Sequence, residues 1–123
     1  MLENMLNNIT TIYIAYGVTD FRKQISGLIS TVEYNFGKDP YNGSAYIFCN
    51  RKKNSIKILC YDKNGFVLAQ KTLMKNQKFQ WPRNSNELKN ITKQQMKWLF
   101  EGLNIEQKRS FKDIDIAKDN VVF

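Results

Sequence analysis

Histidine is missing altogether, cysteine and proline each occur only twice, and 11 acidic residues stand against 19 basic ones. Without histidine there is no imidazole general base, no Ser-His or Cys-His nucleophile pair and no mixed Cys/His zinc site. The two thiols, Cys49 and Cys60, lie in apolar runs of a segment with hairpin character. They are expected near one another across two strands, as small buried thiols rather than as a disulfide. A Gly-rich phosphate loop, a CxxC pair, an RNA-recognition aromatic motif, repeats and low-complexity tracts are all absent, and no motif asks for a cofactor. No apolar run approaches the roughly 20 residues of a membrane span. The opening MLENMLNNITT has neither the basic n-region nor the apolar h-region of a secretory signal, so a cytoplasmic location is expected.

What is there fits one soluble domain. A chain of 123 residues is the size of a single core, and 42% hydrophobic with 24% charged residues is a globular balance. The net charge of +8 is unevenly spread: from Arg51 to Lys97 there are twelve Lys or Arg and two acids, Asp62 and Glu87. A basic middle suits a polyanion partner. A compositional Lys/Asn/Ile bias with solvated lysines accounts for the same count without any ligand.

Residues 9–16 are β-branched and aromatic and predict a strand. The period then changes: Phe21, Ile25, Leu28, Ile29, Val32 and Phe36 draw one apolar stripe, predicting a helix of about four turns closed by Gly37. Asp39-Pro40-Tyr41-Asn42-Gly43 is a turn. Strands follow at 44–50, 55–61 and 66–73, joined by connections too short for a crossover helix, so they form an antiparallel meander; Asn64-Gly65 marks the second hairpin. Phe79-Gln80-Trp81 is a candidate further strand before Pro82, and residues 83–90 are predicted to be a loop. Thr92 with Gln95 forms a capping box, Ile91 and Met96 a hydrophobic staple, and Met96, Leu99, Phe100 and Leu103 the stripe of a second helix stopped by Gly102. The expected class is α+β, a mainly antiparallel sheet of four to five strands in the order β-α-β-β-β-(β)-α with two helices packed on it. Residues 1–8 are expected to be flexible, 9–105 to form the domain, and 106–123 to be a weakly ordered tail.

Candidate functional residues cluster in two words. In GVTDFRK, Thr19 or Asp20 serves as a helix cap, a role worth about 1 kcal/mol. The catalytic alternative, a metal nuclease using Asp20 and Asp62, lacks the further carboxylates such chemistry gathers. Arg22 and Lys23 fall in the predicted first helical turn, where the dipole disfavours cations; they either grip a phosphate or carboxylate, or solvate the surface and pair with Asp20 or Asp39. Arg51, Lys52 and Lys53 at a hairpin tip, followed by Lys57, can contact phosphates along a groove. Tyr46, Phe48 and Tyr61 are either a base-stacking face or core, and Trp81 and Trp98 are read as core.

The ordered words of the chain are similar to a known family. These are Gly17-x-Thr19-Asp20-x-Arg22-Lys23, Gly27-Leu28, Asp39-Pro40-Tyr41-x-Gly43, Phe48-x-Asn50-Arg51-Lys52, Ile56-Lys57-Ile58-Leu59, Tyr61-Asp62-x-x-Gly65, Phe79-x-Trp81-Pro82 and Leu99-x-Glu101-Gly102. Together, over about residues 9–105, they resemble the TnpB-type accessory protein of the sixty-six family of bacterial insertion sequences, not to be confused with the RNA-guided nuclease that shares the name. The chain departs from that pattern with Phe21 in place of Met, Ser26 in place of an acid, Cys60-Tyr61-Asp62 in place of Trp-Asp, and Gln77-Lys78 in place of Gly-Arg. The resemblance implies a non-catalytic accessory factor for transposition, encoded beside a separate transposase that cuts the DNA. Its implied partners are the transposase and the element's other accessory protein. On the bases named above, DNA is the further expected partner; the alternative is a module that bridges those two proteins without touching DNA.

Overall fold

The computed structural model describes residues 2–106. Five strands form one mixed sheet: β1 (Ile12–Ala15), β2 (Ala45–Cys49), β3 (Ser55–Asp62), β4 (Gly65–Thr72) and β5 (Leu88–Ile91), in the spatial order β4-β3-β2-β1-β5. β2, β3 and β4 are the expected antiparallel meander. β1 lies parallel to β2, with Ile12 opposite Ala45 and Ile14 opposite Ile47, because the helical segment between them carries the chain back across the sheet. β5 adds antiparallel to the free side of β1.

Alternation along each strand sorts the core into two layers. Ile12, Ile14, Ala45, Ile47, Cys49, Ile56 and Ile58 face one side, with Leu6, Phe79, Trp81, Ile91, Met96, Leu99 and Phe100 packed over them. Ala15, Tyr46, Phe48 and Leu59 face the other, under Leu28 and Val32. β2 is buried at all five positions because both its faces and both its edges are covered, which is why AYIFC has no polar alternation.

The first long helix is shorter than the stripe suggests. α2 runs Ile25–Ser30 and continues as a π segment, Thr31–Asn35, ended by Gly37 at φ +64°. Phe21 lies before it, and Ile25 is exposed. The Thr31 hydroxyl donates back to the Gly27 carbonyl at 3.0 Å, a bond that competes with regular helical pairing. α3 (Lys93–Phe100) begins as expected: Gln95 N–H donates to Thr92 Oγ1, Thr92 N–H donates to Gln95 Oε1, and Ile91 and Met96 are buried in one cluster. Gly102 at φ +87° stops it, but Leu103 is exposed rather than part of the stripe.

Two expectations need correction. Residues 79–81 form no strand; Phe79 and Trp81 are core anchors, and Trp81 Nε1 donates to the Ala15 carbonyl at 2.8 Å. The polar stretch 83–90 is not loop throughout: its end enters β5, since pairing Ala15 with Leu88 and Ile12 with Ile91 overrides weak local propensity. Residues 2–8 include α1 (Leu2–Met5) and Leu6, which is 3% exposed and packs in the core. The expected tail lies outside the described residues apart from Glu106.

Candidate functional site

Gly17 opens the GVTDFRK loop at φ +89°, donating to the Pro82 carbonyl at 3.0 Å; a Cβ there would meet Asn86 Oδ1 at 2.5 Å, so only glycine fits. Thr19 N–H then donates to the Cys49 carbonyl at 2.9 Å. Asp20 Oδ1 accepts the Arg22 amide at 2.9 Å, and the Arg22 guanidinium forks onto both carboxylate oxygens, with Nη2 to Oδ2 at 2.7 Å. These bonds from Arg22 hold the Asp20 carboxyl at a pKa of about 2. Asp20 therefore closes a turn, not a helix: α2 starts five residues later, with Gln24 at its N-cap and no side-chain cap bond, so neither Thr19 nor Asp20 caps it. Arg22 and Lys23 stand before the helix, and no dipole penalty attaches to them.

Lys57 carries a second correction. It is 3% exposed, and its ammonium donates inward to the carbonyls of Phe21 and Lys23 at 3.0 and 2.9 Å, 4.9 Å from the centre of the Phe21 ring. Burial lowers its pKa. It faces the α2 side of β3, between Phe48 and Gln70, and pegs the loop to the sheet instead of offering a surface charge.

The β2–β3 connection is fixed as firmly. Asn50 Oδ1 accepts the amides of Asn54 and Ser55, both at 3.1 Å, while its Nδ2 donates to Asn54 Oδ1 at 2.7 Å. Lys53 sits at φ +61°. Arg83 reaches in from the far segment and donates to the carbonyls of Asn50 and Arg51. Sequence reasoning placed Arg83 in a polar loop; its position directly after Trp81-Pro82, which anchor the segment in the core, was the available signal.

Loop and hairpin tip enclose a groove of about 880 Å³. Arg22, Arg51 and Lys52 line it above a neutral polar floor of Asn50, Asn54, Ser55, Gln70 and Thr72, with Asp20 the acid among its lining residues. The Arg22 side chain is 91% exposed, and Arg51 and Lys52 are exposed. Of the expected basic residues, three thus converge. Lys23 lines the neighbouring pocket, its ammonium donating to Thr31 Oγ1 at 3.0 Å, and Lys53 lines a separate cleft beside Trp81.

The remaining candidates separate. Asp20 borders the Ser55 end of β3 and Asp62 occupies the other end, about 20 Å away at some 3.3 Å per residue, so the two cannot share a metal. Among the described residues no group of three or more His, Cys, Asp or Glu could hold a metal ion. Cys49 pairs across the strands with Ile56, and Cys60 with Ala45, which puts the thiols at opposite ends of β2 and not side by side. Both are free; burial pushes the Cys49 thiol up to about 11, against the opposing influence of Arg83. Tyr46 and Phe48 are wholly buried, so they cannot stack on bases, whereas Tyr61 joins Tyr41 and Phe66 in an edge-to-face trio with centroids 5.0–5.2 Å apart. Among the described residues no helix is long and apolar enough to cross a membrane.

Comparison with known proteins agrees with these words. No solved structure matches the chain. A protein of Sinorhizobium fredii (strain NBRC 101917 / NGR234) described as "Uncharacterized protein y4jC" is 26% identical over 92 residues, covering 75% of this chain and 78% of that protein. The family model described as "IS66 Orf2 like protein" matches residues 10–110, which takes in every quoted word from Gly17 to Gly102. The chain belongs to the IS66 Orf2-like family and is an insertion-sequence accessory protein.

Proposed function

We propose that the protein assists transposition without catalysing it, by holding DNA in the groove between the GVTDFRK loop and the β2–β3 hairpin tip. The observation that carries this reading is the convergence of Arg22, Arg51 and Lys52 on one groove from two words 29 residues apart. The Arg51 guanidinium, the Lys52 ammonium and the Arg22 N–H groups that its fork onto Asp20 leaves over suit phosphate oxygens, and the Asn, Ser, Gln and Thr side chains on the floor add neutral donors. Phosphate binding of this kind releases counterions, so affinity falls as salt rises, with a slope of about −0.9 per phosphate contacted on duplex DNA. In filter binding, the double variant Arg51→Gln/Lys52→Gln is expected to flatten that slope by about 1.8. Absence of DNA binding at low salt, or an unchanged slope in the variant, contradicts the reading.

A second reading is favoured by the Tyr41, Tyr61 and Phe66 trio at the β4 edge, where Tyr41 is 54% exposed. Such a surface suits a protein contact, and the protein then bridges the transposase and the second accessory protein. A pull-down after nuclease treatment separates the two: transposase retained on the protein once DNA is digested supports bridging, and its loss supports the groove.

A further inference from the structure

We infer that the pocket beside the groove takes one unstacked nucleobase of single-stranded DNA, while the phosphates of the same strand lie along Arg22, Arg51 and Lys52. This rests on the reading of the groove as a DNA site and specifies which form of DNA it holds. The pocket, about 500 Å³, falls within the roughly 300–1,000 Å³ of small-molecule sites, and it shares Val18, Thr19 and Asp20 with the groove as a common wall. A strand following the groove therefore passes the pocket mouth.

The lining has the chemistry of a base and not of a second phosphate. Thr31, Tyr34 and Asn35 of the π segment line it together. Tyr34 is 83% exposed and joins none of the ring pairs found among the described residues. An exposed aromatic ring beside a cationic groove is what single-strand binders use to stack a base. Asn35 and Asn86 bring amide groups that both donate and accept, as the edge of a base requires. Lys23 keeps its ammonium in place through one bond to Thr31, leaving two donors for a base carbonyl or the adjoining phosphate. In a duplex the base faces are covered by their neighbours, so stacking on Tyr34 needs an unpaired base.

Fluorescence anisotropy on three labelled DNAs tests this: a single strand, the duplex of the same sequence, and the single strand carrying abasic sites. The full chain is expected to prefer the single strand about tenfold over both others, the size of one stacked base. Tyr34→Ala, a change at an exposed position, is expected to abolish that preference with the salt slope intact, and Tyr34→Phe to keep it. Equal binding of the single strand by Tyr34→Ala and the unmodified protein, or of abasic and intact strands by the latter, overturns the base pocket. If this happens while Arg51→Gln/Lys52→Gln still flattens the salt slope, the groove stands and the pocket alone falls. No DNA binding at low salt removes both.

Discussion

Asp20 shows how one residue can be legible in kind and misread in place. A carboxylate between a strand and an apolar stripe signals a capped turn, and Asp20 does accept a backbone amide two residues on. The misplacement came from Phe21, which continues the helical spacing of Ile25 backwards although it packs from a loop. Nothing local distinguishes a stripe residue that is helical from one merely pointing at the same core. The fork from Arg22 has a pH signature. With its pKa lowered from the ordinary 3.8 to about 2, the Asp20–Arg22 pair is fully formed above the ordinary carboxylate range and is lost only as pH falls through about 2. Carboxyl NMR titration is expected to show Asp20 still ionised at pH 3, and Arg22→Gln, which removes the guanidinium but keeps the backbone amide bond, to raise its pKa part of the way back. Lys57 was legible only as a charge; that it is buried follows from the Phe21–Lys23 loop lying over that face of β3, a contact 34 and 36 residues away that no short window of sequence contains.

At the scale of elements, local codes were readable and pairings were not. The capping box of α3 involves residues three apart, so its side-chain chemistry is complete within four letters. Thr92→Ala is expected to lower stability by about 1 kcal/mol, measured by denaturant unfolding, with the denaturant slope unchanged. β5 had no such code: Leu88-Lys89-Asn90-Ile91 becomes a strand only because β1 offers a free edge. The hairpin tip of β3 and β4 was correctly located by Asn64-Gly65, but the left-handed residue is Lys63, at φ +56°. The parallel pairing of β1 and β2 likewise depends on where the intervening helix returns the chain, a property of the whole crossover.

For the molecule as a whole, the class and the family were legible because many spaced words each carry part of a fold. Their purpose becomes visible when they meet: Gly17 bonds to Pro82, Thr19 to Cys49, Trp81 to Ala15, and Arg83 to Asn50 and Arg51. The loop, the hairpin tip and the Phe79-x-Trp81-Pro82 segment thus brace one corner. Arg83 does not line the groove, so Arg83→Ala tests this bracing. It is expected to cost about 1 kcal/mol in thermal unfolding by freeing two carbonyls, and also to weaken DNA binding by loosening the tip. Stability lost with DNA affinity unchanged contradicts the coupling. The Arg83 bonds span 32 and 33 residues, which sets an order in time. A nascent chain can zip the β2–β3–β4 meander, with the Asn50, Asn54 and Ser55 bonds of its tip, as soon as those strands emerge, but the tip gains its brace from Arg83 only after that residue has followed. The bases are thus made early and braced late, and an interrupted product ending before Phe79 keeps the charge of the groove without the Arg83 brace on its tip.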